Sequence, residues 1–143
     1  MPYGRLVLSA DDVDQAVAAV IAAVERGRAF AIAVVDETGD LLAFRRSDRC
    51  APHTAAIARA KAYTAARVRM DTGAFEEFLA ERGKPATAFG DPGLVAIRGG
   101  VVLRDADGGL LGGIAVSGFA PAEDEELALL GRAAIRVTEI AAD

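Results

Sequence analysis

Two short segments share one pattern, and both lie where a chain must reverse. Residues 34–44 read VVDETGDLLAF and residues 102–111 read VLRDADGGLL. Asp-x-x-Gly-x-Leu-Leu thus occurs at Asp36, Gly39, Leu41 and Leu42, and again at Asp105, Gly108, Leu110 and Leu111. Short apolar runs flank each copy: FAIAVVD and LLAFRR for the first, GGVVLRD and LLGGIAVSG for the second. An aspartate can bond the backbone just ahead of it, and glycine tolerates positive φ, so each copy predicts a tight β-hairpin. The competing reading, a pair of metal-binding aspartates, lacks a histidine or a third carboxylate at ligand spacing. The repeat predicts architecture, two antiparallel hairpins, and no metal site.

Helical periodicity surrounds the hairpins. Ser9 before Ala10-Asp11-Asp12 is a capping start, and Val13, Ala16, Val17, Val20, Ile21 and Val24 continue a first helix to about Gly27. A second helix is expected from Thr54, its N-cap, to about Met70, and a shorter third over TGAFEEFLAERG. Pro121–Glu126 opens a last helix carrying Leu127, Leu130, Ala134, Ile135 and Val137. GKPATAFGDPGLVAIRGG is too long and glycine-rich for a simple connector, and such loops often line sites. Helix, hairpin, two helices, hairpin, helix gives an α+β class with an antiparallel sheet. At 143 residues, with no linker or low-complexity stretch, the chain reads as a single domain, residues 1–143.

Composition removes several function classes. The net charge is −5 and the basic residues are scattered apart from Arg45/Arg46/Arg49 and Arg67/Arg69, so no nucleic-acid partner is expected. No run approaches 18 apolar residues, so no membrane partner is expected either. Cys50 is the sole cysteine and MPYGRLVLSADD lacks signal-peptide character, which together predict a cytoplasmic protein. Abundant Ala, Val and Gly with no Trp predict a core of small, closely packed side chains.

Chemistry concentrates on the second helix, TAAIARAKAYTAARVRM. At about 100° per residue, Ala58, Lys61, Ala62, Thr64, Ala65 and Val68 share the half occupied by Ile57, while Arg59, Tyr63 and Arg67 lie opposite. Lys61 thus falls on the apolar face, where a lysine is paired, functional or snorkelling. His53, the only histidine, is the best available haem ligand or neutral-pH proton carrier, or else an exposed residue without a role. Arg45 and Arg46 end a strand on opposite faces, so at most one can serve a site on a given face. Arg98 adjoins Gly99-Gly100, where bare backbone admits a close neighbour. The glycines of GGIAVSG suggest close packing, a bulge or ligand approach, and lack the dinucleotide spacing. The acids of AEDEE, Asp124 included, suit a helix N-terminus.

AIAVVDETGDLLAFRRSD, ARAKAYTAA, the Pro-Gly…Gly-Gly-Val loop and GGLLGGIAVSG followed by Asp-Glu, in that order, resemble the GlcG/HbpS-type haem-binding family. The C-terminal domain of PduO-type proteins belongs to the same group. The resemblance runs from about Ser9 to Ile140. It implies a profilin-like fold, an antiparallel five-stranded sheet flanked by helices, with the fifth strand near Leu94–Arg98, and assembly into a homo-oligomer. The family's lysine maps to Lys61, and its Gly-Gly-Val segment to Gly99, Gly100 and Val101. Val-Leu follows that segment here where relatives often have Pro, and His53 stands where many have a small residue.

Two function classes follow. In the first, a small cytoplasmic ligand-binding protein takes haem or a related anionic tetrapyrrole. His53 is then the axial ligand, with Lys61, Arg45 or Arg98, and the Gly99-Gly100 backbone, at the propionates. In the second, a cofactor-independent isomerase, lyase or cyclase uses Lys61 and His53 for acid/base work or anion binding on a small anionic metabolite. An accessory subunit without a small-molecule site is the third possibility.

Overall fold

The computed structural model describes residues 1–135. Their elements, in chain order, are α1 (Ala10–Ala23), β1 (Ala31–Asp36), β2 (Leu41–Arg46), α2 (Pro52–Val68), α3 (Thr72–Arg82), a 3-10 turn (Ala86–Phe89), β3 (Gly100–Arg104), β4 (Leu110–Ser117) and α4 (Pro121–Ala134). Val137, expected in the last helix, lies outside the described residues.

Both hairpins form, and their turns are built alike. Asp36 Oδ1 accepts the amides of Thr38 and Asp40 at 2.9 and 3.0 Å. Asp105 Oδ1 accepts those of Asp107 and Gly109 at 2.9 and 2.7 Å. Gly39 and Gly108 occupy positive φ at 93° and 84°, as the turn requires. The repeated aspartates are turn-formers.

The strands make one antiparallel sheet in the order β2-β1-β4-β3. This is an α+β fold with four strands among the described residues, where five were expected. Residues 94–98 form no strand. The physical reason is a competing partner: the Val95 amide donates to Thr64 Oγ1 on α2 at 3.0 Å instead of entering a ladder.

Alternation along the strands divides the core. Ile32, Val34, Val101, Leu103, Ile114 and Val116 face α1 and α4, where Val13, Val20 and Leu127 meet them. Ala31, Ala33 and Ala115 face α2, which presents Ala58, Ala62 and Ala66. Alanine against alanine brings α2 close to the sheet. A Cβ at Gly113 would stand 2.5 Å from the Ala62 carbonyl oxygen, so the first role of GGIAVSG is close packing.

α2 begins at Pro52, after Ala51, and not at a Thr54 cap. Proline at the first helical position needs no N–H there, so it opens a helix without a side-chain cap. The helix lies over β1, β4 and β3 and leaves β2 largely uncovered.

The two sheet edges differ. At β3 the outward backbone groups of Gly100 and Val102 already have partners. Gly100 N–H donates to Thr72 Oγ1 at 2.9 Å, and the same hydroxyl donates to Gly100 O at 3.3 Å. Val102 N–H donates to Asp71 Oδ1 at 2.9 Å, and Arg132 reaches Val102 O at 3.5 Å.

Candidate functional site

Lys61 is the largest fully buried side chain, only 1% exposed. It extends from α2 past the end of the sheet, between the start of β3 and the end of β4. Its Nζ donates to Asp124 Oδ2 at 2.9 Å and to the Val116 carbonyl at 3.1 Å. Asp124, on α4 and 2% exposed, accepts the Phe119 amide on its other oxygen at 3.0 Å. Burial pushes the Asp124 carboxyl upward; the Lys61 ammonium and the Phe119 amide draw it part of the way back, leaving it above the ordinary carboxylate value. Each buried charge is therefore paired and hydrogen-bonded, the condition for keeping two ions out of water.

Gly99 and Gly100 are packing partners of that pair. A Cβ at Gly99 would lie 2.6 Å from Lys61 Nζ and 2.9 Å from Asp124 Cβ. A Cβ at Gly100 would lie 2.6 Å from the Lys61 carbonyl oxygen. Bare backbone does admit a close neighbour here, and that neighbour is α2 itself.

The other expected site residues are elsewhere. His53 is exposed in the first turn of α2. Eight residues separate it from Lys61, about 12 Å along the axis and about 80° around it. The fold of the chain does not bring them together as an acid/base pair. Arg45 pairs with Ile32 in register, so it stands on the α1/α4 face, while Arg46 opposite Ala31 stands on the α2 face. Arg98 is exposed and bonded to Glu125 at 2.9 Å, away from β2.

A groove that sequence reasoning did not assemble lies on the outer flank of α2. It is a shallow, open groove of about 410 Å³ between Ala56, Arg59, Ala60 and Tyr63 of the helix and Val35, Gly39 and Leu41 of the first hairpin, with Gly93 at its side. His53 belongs to the same helical stripe: Ala56, Ala60 and Tyr63 follow it within an arc of about 80°. Arg59 stands over the Phe44 ring, 5.5 Å from its centroid, at the border of the groove and β2. Tyr63 donates to Asp91 at 2.8 Å, which fixes the far wall. Among the described residues no cluster of three or more His, Cys, Asp or Glu could hold a metal ion, and no helix is long and apolar enough to cross a membrane.

A four-stranded sheet between α2 and an α1/α4 layer, locked by a buried lysine on an Ala-Lys-Ala helix, defines a recognisable class. The chain belongs to the HbpS-like family, described as haem degrading protein HbpS-like, whose model matches residues 8–133. Protein GlcG of Escherichia coli strain K12 is 42% identical over 86 residues, which make up 60% of this chain and 62% of GlcG. The match thus spans less than two-thirds of that relative's length. HbpS of Streptomyces reticuli has the same fold, with a TM-score of 0.83 at 29% identity over 94% of this chain and 91% of that one. PduOC, solved as a heme complex, shares the fold at a TM-score of 0.81 and 24% identity, covering 92% of this chain and 96% of its own.

Proposed function

We propose that this protein binds haem or a related anionic tetrapyrrole in the groove between α2 and β2. The family description concerns haem, and a fold neighbour is known as a heme complex. The observation that carries the reading is the stripe Ala56, Ala60, Tyr63 lining the groove with Arg59, which exposed His53 extends by about one turn toward the start of α2. A planar macrocycle needs a flat apolar floor, which two alanines supply without side-chain bulk. His53, on exposed helix surface, would supply the nitrogen donor that holds its iron. Its propionates need a cation with a bidentate fork, and Arg59 supplies one.

This assigns the roles differently from the sequence expectation. Lys61 is engaged with Asp124, Arg98 with Glu125, and Arg45 stands on the other face of the sheet. Arg59 takes the place proposed for them, and Lys61 fastens α2 to α4 at the ends of β3 and β4, away from the groove.

Haemin titration followed at the Soret band tests the reading. Saturable binding is expected, with a Soret position changed by His53→Ala and an affinity lowered by Arg59→Ala. Absence of saturable binding, or a spectrum and affinity indifferent to both substitutions, would overturn it.

A further inference from the structure

Three of the six phenylalanines converge beside the C-terminal end of α2, away from the two main core layers. Phe75 and Phe78 come from α3, and Phe89 from the 3-10 turn within the long glycine- and proline-rich loop. Phe75 and Phe89 meet edge to face, their centroids 5.6 Å apart at 67°. Phe78 lies 6.1 Å from Phe89 at 50°. With Met70 and Leu94 they line an open cleft of about 300 Å³, whose charged residues are Arg67 and Asp91. Phe75 is buried and forms the floor, whereas Phe89 is 49% exposed and forms an outer wall.

The two charged groups are not equally occupied. Asp91 Oδ2 accepts the Tyr63 hydroxyl at 2.8 Å, and Oδ1 accepts the Gly93 amide at 2.9 Å. Those two bonds hold its carboxyl below the ordinary 3.8, so it is charged and already satisfied. Arg67 donates from Nη1 to the Thr38 carbonyl at 3.2 Å and turns Nε toward Asp91 at 3.6 Å. Its Nη2 has no partner among the described residues. Arg82 stacks on Phe78, its guanidinium carbon 3.6 Å from the ring centroid, and adds a second cation beside the cleft. Two arginines against one engaged carboxylate favour an anion.

We propose that this cleft binds a small aromatic carboxylate of one or two rings, its ring among the three phenylalanines and its carboxylate on Arg67. Three features select that ligand. The volume lies at the lower end of the roughly 300–1,000 Å³ of small-molecule sites, enough for a bicyclic acid and too little for a tetrapyrrole. Three ring walls and the Met70 thioether favour a π system over an aliphatic chain, because ring edges and sulfur meet aromatic rings in preferred geometries. One free guanidinium nitrogen suits a monoanion, and Asp91 opposes the second charge of a phosphate. Tyr63 lines the α2/β2 groove and Asp91 the cleft, so the two sites share a wall. Binding in the cleft does not depend on haem in the groove.

Titration with 2-naphthoate, followed at the backbone amides by NMR, tests the assignment. Saturable shifts are expected at Phe89, Gly93 and Leu94, with a Kd on the order of 0.1–1 mM for a ligand of this size. Phe89→Ala should weaken binding about tenfold. Arg67→Gln should weaken 2-naphthoate about tenfold and leave 2-naphthamide unchanged, a split that a merely structural arginine would not produce. The Phe89 and Arg67 side chains are both about half exposed, so both variants fold. Decahydro-2-naphthoate, with the same charge and no π face, should bind about fivefold more weakly than 2-naphthoate. Four results would each overturn the proposal: no saturable shift up to about 10 mM, shifts centred on Ala56 and Ala60, equal losses of acid and amide in Arg67→Gln, or affinity indifferent to Phe89→Ala or to saturation of the rings.

Discussion

Lys61 on one side of the sheet is bonded to Asp124 on the other: Nζ and Oδ2 lie 2.9 Å apart, both nearly inaccessible to solvent. The bond passes through the opening beside Gly99, tying the α2 layer to the α4 layer at the ends of β3 and β4. In this fold Lys61 fastens the two layers together.

Removing one partner strands the other. Lys61→Ala or Asp124→Ala should each cost about 3–5 kcal/mol in urea unfolding, while Lys61→Met with Asp124→Leu should cost much less than the sum. Additive single losses would mean that the two groups do not act as a pair.

Gly99 and Gly27 both sit at positive φ, 129° and 90°, but a Cβ at Gly27 meets nothing within 4 Å. Alanine at Gly27 should therefore cost only backbone strain, about 1–3 kcal/mol. Alanine at Gly99 adds displacement of the Lys61 ammonium and should destabilise clearly more. Equal unfolding midpoints for the two variants would contradict the packing described.

Burial alone would raise the Asp36 carboxyl, but the Thr38 hydroxyl and the turn amides hold it below the ordinary 3.8. A depressed folded value means that the charge stabilises the fold above about pH 4, the unfolded group's range, and that this share is lost as pH falls through the folded value. The stability gap between the wild type and Asp36→Asn should be widest near neutrality and close in acid. A gap that widens on acidification would reverse the sign.

Arg59→Ala should weaken haemin binding about tenfold, the loss of one charge-assisted contact. Arg45→Ala and Arg98→Ala should leave it near the wild-type value, since neither side chain reaches the groove. A stronger effect from Arg98→Ala would move the site to the surface around Glu125.

Much of the fold was legible because its signals are local. Asp-x-x-Gly between apolar runs specifies a turn within five residues, and Ser9 with Asp12 forms the capping box that starts α1. The fifth strand that the resemblance implied near Leu94–Arg98 had no local signal, and the Val95 amide there is taken by Thr64, a hydroxyl of a distant helix. Lys61 was placed correctly on a buried face, and its partner could have been found the same way. Asp124 precedes Leu127 and Ala128 by three and four residues, on the buried stripe of α4, where an acid needs a cation. The groove was the least visible feature. Ala56, Ala60 and Arg59 look like ordinary outer-face residues until the first hairpin folds up beside them.

The plugged side of the sheet carries a consequence for how far self-assembly through strands can run. A sheet that is adhesive along both margins propagates copy upon copy into a ribbon. Here Asp71, Thr72 and Arg132 occupy the outward backbone groups of Gly100 and Val102, so the β3 margin offers no template to a further strand. Growth of the sheet past β3 is closed, and three side chains close it.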